Sequence, residues 1–245
     1  MSLQGLQGVN GADKNGTGQV GVVNGTVQDE KRGEPRDHHV EQGKSTERRP
    51  RIAVFASGTG SNFQALVDAF QAGPAQYEGD IVLLVCDKPQ AYVVKRAEAA
   101  GVPVACFTPK SYLSREQYEE DVLLKLREER IDWIVLAGYM RLVTPVLLSA
   151  YGGRMLNIHP SLLPAFPGLN AVKQALDYGV CVTGVTVHLV DEGVDTGQVL
   201  AQRVVLVEKN DTEETLAARI HAAEHELYPA AVADVVAGKL SPSRL

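Results

Sequence analysis

The stretch RIAVFASGTGSNFQAL, residues 51–66, passes from a run of apolar, partly β-branched residues through a glycine-containing loop into a helical pattern. The two glycines of the loop SGTGSN (57–62) permit a tight turn and let a ligand approach the backbone closely. Unpaired N–H groups at the start of the following helix point toward the same place. The stretch therefore predicts the first strand and helix of an α/β sheet, with an anion site for phosphate in the loop. A plain tight turn with a helix cap is the alternative.

Short apolar runs continue beyond this unit and alternate with helical patterns. Because the runs are almost continuously apolar and rich in β-branched residues, they predict strands that are buried on both faces. The alternation predicts a doubly wound, mainly parallel twisted sheet with helices on both faces. The predicted strands are 51–57, 80–87, 102–108, 132–139, 154–159, 182–190 and 197–207.

Two of the predicted helices carry capping signals at their starts. Ser114 and Gln117 have the spacing of a capping box, which predicts a helix after residue 114. The last helix is expected to start at Asp211, with Glu214 completing the cap, and to lie across the sheet. Its inward residues are predicted to be Leu216, Ile220, Ala223 and Leu227.

The first 49 residues differ in character from the rest of the chain. They are rich in glycine and polar residues, contain no Phe, Trp or Tyr, and show no sustained hydrophobic period. We expect a disordered polar tail over residues 1–49 and a catalytic domain over residues 50–245. A small folded N-terminal domain is the alternative, but the segment offers little apolar surface to offset the entropy of ordering it.

Composition and charge exclude several classes of protein. The formal net charge of -6 argues against a nucleic-acid-binding protein. No basic and apolar leader opens the chain, and no stretch approaches the roughly 20 apolar residues of a membrane span. A cytoplasmic protein acting without membrane or nucleic acid is expected. The cysteines, Cys86, Cys106 and Cys181, stand singly, which predicts buried free thiols and no metal site.

A second candidate loop is NIHPSLLPAFPG, residues 157–168, which ends an apolar run with three prolines. If 154–159 is a strand, Asn157 and His159 point to the same face near its carboxyl end, where open α/β sheets bind ligands. An Asn side chain can donate a hydrogen bond to a developing oxyanion, and a His can donate or accept a proton near neutral pH. The pair predicts a catalytic site, although either residue alone is more often structural.

A third candidate loop is DEGVDTG, residues 191–197. A carboxylate in this loop could orient an imidazole and favour its protonated form, although the loop alone could equally be a polar turn. Among the other histidines, His188 is interpreted as a buried, hydrogen-bonded residue rather than a catalyst. His221 and His225 are interpreted as part of a polar helix face, unless that end of the helix faces the phosphate loop.

Five stretches of the chain together resemble one enzyme family. They are 52–66 (IAVFASGTGSNFQAL), 136–143 (LAGYMRLV), 157–176 (NIHPSLLPAFPGLNAVKQAL), 188–200 (HLVDEGVDTGQVL) and 224–229 (EHELYP). Taken in this order, they resemble the folate-dependent phosphoribosylglycinamide formyltransferases of purine synthesis, over residues 51 to about 239. The N-x-H-P-S-L-L-P part alone is shared with other formyl-tetrahydrofolate enzymes.

The resemblance implies the formyltransferase fold and a specific reaction. The formyl group of 10-formyltetrahydrofolate would pass to the amine of 5′-phosphoribosylglycinamide, giving formylglycinamide ribonucleotide and tetrahydrofolate. The partners would be these small molecules, no metal would be required, and the protein would be a monomer or homodimer. By the same resemblance, Asn157, His159 and Asp195 form the catalytic group.

The resemblance also assigns residues that bind the two substrates. The ribonucleotide phosphate and glycinamide would be bound by Gly58, Thr59, Gly60, Ser61, Asn62 and Glu224, and the folate by Arg115, Met140, Arg141, Leu142, Val143 and Asn157. The Leu163–Pro164 bond is expected to be cis. Ala165, Asn170 and Val172 depart from the family pattern, since they stand where many members carry a basic residue and two histidines.

Four other functions are alternatives to this interpretation. Formyltetrahydrofolate deformylase would use the same Asn, His and Asp on water, but it usually carries an N-terminal regulatory domain. Methionyl-tRNA formyltransferase needs a basic C-terminal domain for which little chain remains. A nucleotide-dependent dehydrogenase is disfavoured because Phe63 stands where the third glycine of its fingerprint belongs. A non-catalytic sugar-phosphate binding protein would keep the glycine loop and need no catalytic group.

Overall fold

The structure, a computed structural model, describes residues 48–72 and 77–240 of the 245-residue chain. Within these residues, seven strands form one sheet in the order β3-β2-β1-β4-β5-β6-β7. Strands β1 to β5 run parallel, and β6 and β7 add to the edge in antiparallel fashion. The strands are β1 (Arg51–Ala56), β2 (Asp80–Cys86), β3 (Val104–Cys106), β4 (Trp133–Leu136), β5 (Met155–His159), β6 (Val182–Leu189) and β7 (Val199–Leu206).

Helices cover both faces of this sheet. They are α1 (Ser61–Ala72), α2 (Tyr92–Ala99), α3 (Arg115–Glu128), α4 (Pro145–Tyr151), α5 (Ala171–Tyr178) and α6 (Glu213–Val236), with a short 3-10 turn at Pro109–Ser111. The predicted doubly wound, mainly parallel sheet is therefore confirmed. Every predicted strand is present at nearly the predicted position, and α4 is the helix that the sequence analysis did not identify.

The central strand β1 shows why both faces must be covered. Its alternate residues Ile52 and Val54 enter one apolar core with side chains of α1, α2 and α6. The intervening residues Ala53 and Phe55 enter a second core with side chains of α3 and α4. Because side chains alternate along a strand, a strand that is apolar throughout requires a packed layer on each side.

The helix caps correct the sequence expectations in two places. The last helix begins at Glu213 rather than Asp211, because Thr212 caps it and exchanges hydrogen bonds with Thr215 at 3.3 and 2.9 Å. The Asp211 carboxylate instead pairs with Arg219. The expected Asp211–Glu214 cap was therefore wrong.

The capping box at the start of α3 forms only in part. The Ser114 hydroxyl accepts a hydrogen bond from the Gln117 N–H at 3.2 Å, as predicted. The return bond was predicted wrongly, since the Gln117 side chain accepts from the N–H of Leu113 at 3.3 Å. The helix nevertheless starts where the sequence indicated, because the cap on the hydroxyl side is formed.

The cysteine prediction was wrong for two of the three residues. Cys86 is buried at the end of a central strand, whereas Cys106 and Cys181 are exposed. Cys106 ends the edge strand β3, and Cys181 immediately precedes β6, so neither has a packed layer on all sides. All three are free thiols, as expected.

The predicted tail, residues 1–49, lies outside the described residues except for its last two members. Arg48 donates two hydrogen bonds to Asp132, at 2.6 and 2.8 Å, and Arg49 donates to the Gly79 carbonyl at 2.8 Å. These two residues therefore contact the domain. Across 48–72 and 77–240, none of the helices combines the length and apolar character needed to cross a bilayer.

Candidate active site

Asn157 and His159 lie at the carboxyl end of β5, on the side that faces the loop 191–197. His159 is 5% exposed and Asn157 is half-buried. Both side chains lie within 3.5 Å of Asp195, which belongs to that loop. The strand alternation predicted a common face for the two residues, and the structure brings all three predicted catalytic residues together.

Asp195 is the centre of the group. Its Oδ2 lies 3.2 Å from Nδ1 of His159 and accepts a hydrogen bond from the Gly168 N–H at 2.8 Å. Its Oδ1 lies 3.5 Å from Nδ2 of Asn157 and 3.6 Å from Nε2 of His188. Burial alone raises the pKa of Asp195, but the hydrogen bond from the Gly168 N–H and the charge of His159 act against burial, and the pKa lies below its ordinary value. Asp195 is therefore an anion between two imidazoles.

The ring of His159 is fixed at both nitrogens. Its Nε2 lies 2.8 Å from the carbonyl oxygen of Phe166, and a carbonyl only accepts, so this nitrogen carries a proton. The other nitrogen, Nδ1, faces the Asp195 carboxylate, which also only accepts. The surroundings therefore suit an imidazolium with both nitrogens protonated, and Nδ1 is the atom that can exchange a proton with a substrate.

His188, on the neighbouring strand β6, orients the amide of Asn157. Its Nδ1 donates to the carbonyl of Leu189 at 2.8 Å, so in the neutral ring Nε2 is an acceptor. Nδ2 of Asn157 lies 3.1 Å from that Nε2 and donates to it. The expectation that His188 is buried and hydrogen-bonded is confirmed. Its contact with Asn157 was missed, although the two residues are register partners on β5 and β6.

The proline loop 160–168 holds both charged partners through its backbone. Phe166 has a φ of +53° and directs its carbonyl at His159, while the N–H of Gly168 holds Asp195. The loop is tied to the sheet because the Thr186 hydroxyl accepts the N–H of Leu163 at 3.0 Å. The expected cis bond between Leu163 and Pro164 is present.

The departures from the family pattern have structural settings near this loop. Asn170 precedes α5 with a φ of +58°, a conformation that asparagine tolerates better than most residues. Val172 is half-buried and packs against the apolar core. Ala165 is exposed, and its carbonyl accepts the hydroxyl hydrogen of Ser161.

The glycine loop at the carboxyl end of β1 has the form of an anion cradle. Gly60 has a φ of +74°, and a Cβ there would lie 2.4 Å from Cγ2 of Val93. The Gly60 carbonyl accepts the first helical hydrogen bond, from Gln64, at 2.9 Å. Among the described residues, no backbone carbonyl accepts from the N–H groups of Thr59, Gly60, Ser61 or Asn62. Four N–H groups at a helix start are therefore available to an anion.

Helix α6 closes one side of this loop. Nδ2 of Asn62 donates to Oε2 of Glu224 at 2.9 Å, and Glu224 is 4% exposed. Burial raises the pKa of Glu224, against the opposing effects of the Asn62 hydrogen bond and the His221 charge. One turn later, the Tyr228 hydroxyl donates to the carbonyl of Leu136 at 2.8 Å and anchors the helix on the sheet. The middle of α6, which carries His221 and His225 beside Glu224, therefore borders the phosphate loop.

The predicted folate residues lie after β4 and at the start of α3. Met140 and Leu142 are 69% and 58% exposed, which leaves apolar surface open beside the site. The guanidinium of Arg141 lies over the ring of Tyr118, 5.2 Å from its centre. Tyr118 is three residues beyond Arg115, the exposed first residue of α3, and Val143 is half-buried. The segment adjoins the glycine loop, because the Ser57 hydroxyl accepts the Met140 N–H at 3.2 Å.

The arrangement can stabilise negative charge and move a proton. An amide, an imidazole and a carboxylate converge at one strand end, which suits attack on a carbonyl carbon with an oxyanion as the intermediate species. In the part of the chain that the structure describes, no three His, Cys, Asp or Glu side chains form a potential metal site.

Known proteins of one family are similar to this chain. The family model described as formyl transferase matches residues 50–232. The chain is 50% identical over 182 residues to a phosphoribosylglycinamide formyltransferase of Bacillus subtilis (strain 168), covering 74% of this chain and 92% of the relative. A crystal structure of phosphoribosylglycinamide formyltransferase from Bacillus halodurans matches with a TM-score of 0.74 at 50% identity, over 80% of this chain and 100% of that chain.

A larger relative contains the same domain as one part. The chain is 45% identical over 193 residues to the trifunctional purine biosynthetic protein adenosine-3 of Drosophila melanogaster. The match covers 79% of this chain but 14% of that protein. What the chain shares with it is therefore one domain and not the whole polypeptide.

Proposed function

The chain belongs to the formyl transferase family, and we propose that it transfers the formyl group of 10-formyltetrahydrofolate to the amine of 5′-phosphoribosylglycinamide. The products are formylglycinamide ribonucleotide and tetrahydrofolate, and the reaction is a step of de novo purine biosynthesis. One observation carries the proposal: the Asp195 carboxylate lies within 3.5 Å of both Asn157 and His159.

The three residues have distinct roles in the proposed reaction. As the amine attacks the formyl carbon, negative charge develops on the formyl oxygen. Asn157 donates a hydrogen bond to this oxygen, and the Nδ1–H of protonated His159, shared with Asp195, donates a second one. Asp195 stabilises the imidazolium at Nδ1 and helps to relay the proton that the amine loses to N10 of the folate, whose bond to the formyl carbon breaks as the oxyanion collapses. Phe166 keeps the ring in place through Nε2, so the reaction needs no reorientation of the imidazole.

The substrate sites follow from the loops around this group. The N–H groups of Gly58, Thr59, Gly60, Ser61 and Asn62 supply donors for the ribonucleotide phosphate, with Glu224 beside them for the glycinamide end. Exposed apolar Met140 and Leu142 suit the flat ring of the folate, together with Val143 and Asn157. Arg141 and Arg115 supply positive charge for its anionic tail. The residues present therefore fit both small molecules.

The setting of the reaction is part of the proposal. We infer that the protein works in the cytoplasm on small-molecule substrates, without nucleic acid or membrane, as a monomer or homodimer. The net charge of -6 supports the absence of a nucleic-acid partner, because polyanion binding usually needs a basic face.

One assay separates the proposed transferase from its rivals. Formyl transfer from 10-formyltetrahydrofolate is measured with and without 5′-phosphoribosylglycinamide, for the wild type and for Asn157→Ala and His159→Ala. Loss of one oxyanion donor should lower kcat about a hundredfold or more while the variants still fold and bind substrate. Formate release that is independent of the ribonucleotide would indicate a hydrolase. Near-normal turnover in both variants would contradict the proposed mechanism.

A further inference from the structure

Helix α2 lies directly under the glycine loop and bonds to it twice. The N–H of Val93 donates to the Gly58 carbonyl at 3.2 Å. One turn further along the same face, Nε of Arg96 donates to the Thr59 carbonyl at 2.9 Å. These bonds direct two successive carbonyls of the loop toward α2 and thereby fix the backbone of the loop.

The loop itself has no charge to offer a phosphate. Residues 57–64 contain no Lys, Arg, Asp or Glu. The ionisable side chain bonded to the loop from α6 is Glu224, a carboxylate. Within the described residues, Arg96 is the one Lys or Arg that hydrogen-bonds to this loop. A phosphate monoester carries about -1.5 to -2 charges near neutral pH, and hydrogen bonds to a charged donor are stronger than those to neutral N–H groups.

The guanidinium of Arg96 is held in place and still has donors to spare. Nη1 lies 3.4 Å from the side-chain oxygen of Gln64, and the group stacks over the ring of Tyr92, 5.1 Å from its centre. Nη2 donates to no group among the described residues. The positive charge of Arg96 also reaches His225, whose pKa is lowered first by burial and then by the charges of His221 and Arg96. Arg96 therefore lies near the α6 residues that border the loop.

We propose that Arg96 positions the glycine loop for the ribonucleotide phosphate and supplies the positive charge that the loop lacks. The inference rests on the proposed function, which assigns this loop to the phosphate. Arg96 acts on binding of one substrate and takes no part in formyl transfer itself.

The test compares Arg96→Gln, Arg96→Lys and the matched control Lys95→Gln, an exposed neighbour on α2. Arg96→Gln should raise KM for the ribonucleotide about tenfold or more, leave KM for 10-formyltetrahydrofolate unchanged and change kcat less than about threefold. Arg96→Lys keeps the charge and should fall between Arg96→Gln and the wild type. Lys95→Gln should match the wild type.

Inorganic phosphate provides a second readout that does not depend on formyl transfer. Its dissociation constant, measured by calorimetry on the folded proteins, should rise in Arg96→Gln by a factor similar to that for KM. Unchanged KM and unchanged phosphate affinity would overturn the inference, as would an equal loss for both substrates together with kcat. If Arg96→Gln does not fold, Arg96→Lys decides: it should raise KM for the ribonucleotide and the phosphate dissociation constant by less than about tenfold with KM for the folate unchanged, and wild-type values of both would overturn the inference. A wild type that binds phosphate but does not formylate the ribonucleotide would refute the proposed function and not the role of Arg96.

Discussion

Replacing Asp195 by Asn removes the charge of the central residue and little else. Asn has the same shape, tolerates the φ of +54° at this position, and can still accept the N–H of Gly168. The lost interaction is the ion pair with His159 across 3.2 Å, worth about 5 kcal/mol at an effective dielectric constant near 20. The neutral amide oxygen of Asn retains part of this interaction energy by accepting an ordinary hydrogen bond from His159. A loss of about 3 to 4 kcal/mol in the transition state is expected.

That loss predicts a kcat for Asp195→Asn that is two to three orders of magnitude below the wild type. The assay is steady-state formyl transfer at saturating folate, with KM for the ribonucleotide measured in parallel. KM should change little, because no phosphate contact is removed. A kcat within threefold of the wild type, in a folded variant, would refute the view that Asp195 stabilises a protonated His159.

The same substitution has a pH-dependent effect on stability. The pKa of Asp195 is lowered in the folded state, so its contribution is fully present above the unfolded-state pKa of about 4 and is lost as the pH falls through the folded-state pKa. The difference in free energy of unfolding between wild type and Asp195→Asn should therefore shrink with acidification below about pH 5. Urea unfolding at a series of pH values measures it. A difference that grows in acid would show that the carboxylate is not stabilised by its neighbours.

Three further changes test other parts of the site. His188→Phe removes the acceptor of the Asn157 amide and should lower kcat about tenfold, with KM nearly unchanged in steady-state assays. Gly60→Ala places a Cβ 2.4 Å from Val93 at a φ of +74° and should raise KM for the ribonucleotide more than tenfold. The double variant with Val93→Ala should recover only part of that increase in KM, because the backbone strain at the positive φ remains. Glu224→Gln should raise the free energy of unfolding at pH 8 but not at pH 4. Burial raises the pKa of Glu224, so its charge destabilises the folded state only at pH values above its pKa in the unfolded state. Equal stability of the variant and the wild type at pH 8 would contradict this.

The fold could be predicted because its main signal is local. Strands buried on both faces must be apolar along their buried length, and β1 and β2 are apolar at every position after their first residue, which can be seen without knowledge of their neighbours. Helix α4 was not predicted, because a segment of seven residues beginning with Pro145 is too short to show a helical hydrophobic period. The cap of α6 was misplaced because Asp211 and Thr212 both have capping side chains, and the sequence does not show that Asp211 pairs with Arg219 while Thr212 bonds to Thr215.

The site was predicted less directly than the fold. The alternation along β5 brought Asn157 and His159 to one side, but no sequence rule placed a carboxylate 38 residues away from Asn157 beside them. That assignment came from the resemblance to a family. The contact between His188 and Asn157 depends on the register of β5 against β6, which is fixed by the whole sheet. The exposure of Cys106 likewise depends on β3 being an edge strand.

The loops that carry the site explain how distant segments reach a common geometry. Phe166 and Asp195 are both non-glycine residues with φ near +54°, a conformation that costs on the order of 1 kcal/mol or more at each position. The cost is offset because each residue directs a group at His159: a carbonyl on Nε2 and a carboxylate on Nδ1. The same loop that presents the Phe166 carbonyl also holds Asp195 through the Gly168 N–H. The orientation of the imidazole is thus determined by backbone groups at one nitrogen and by a backbone-held carboxylate at the other, so the charges that favour an oxyanion are in place before substrate binds.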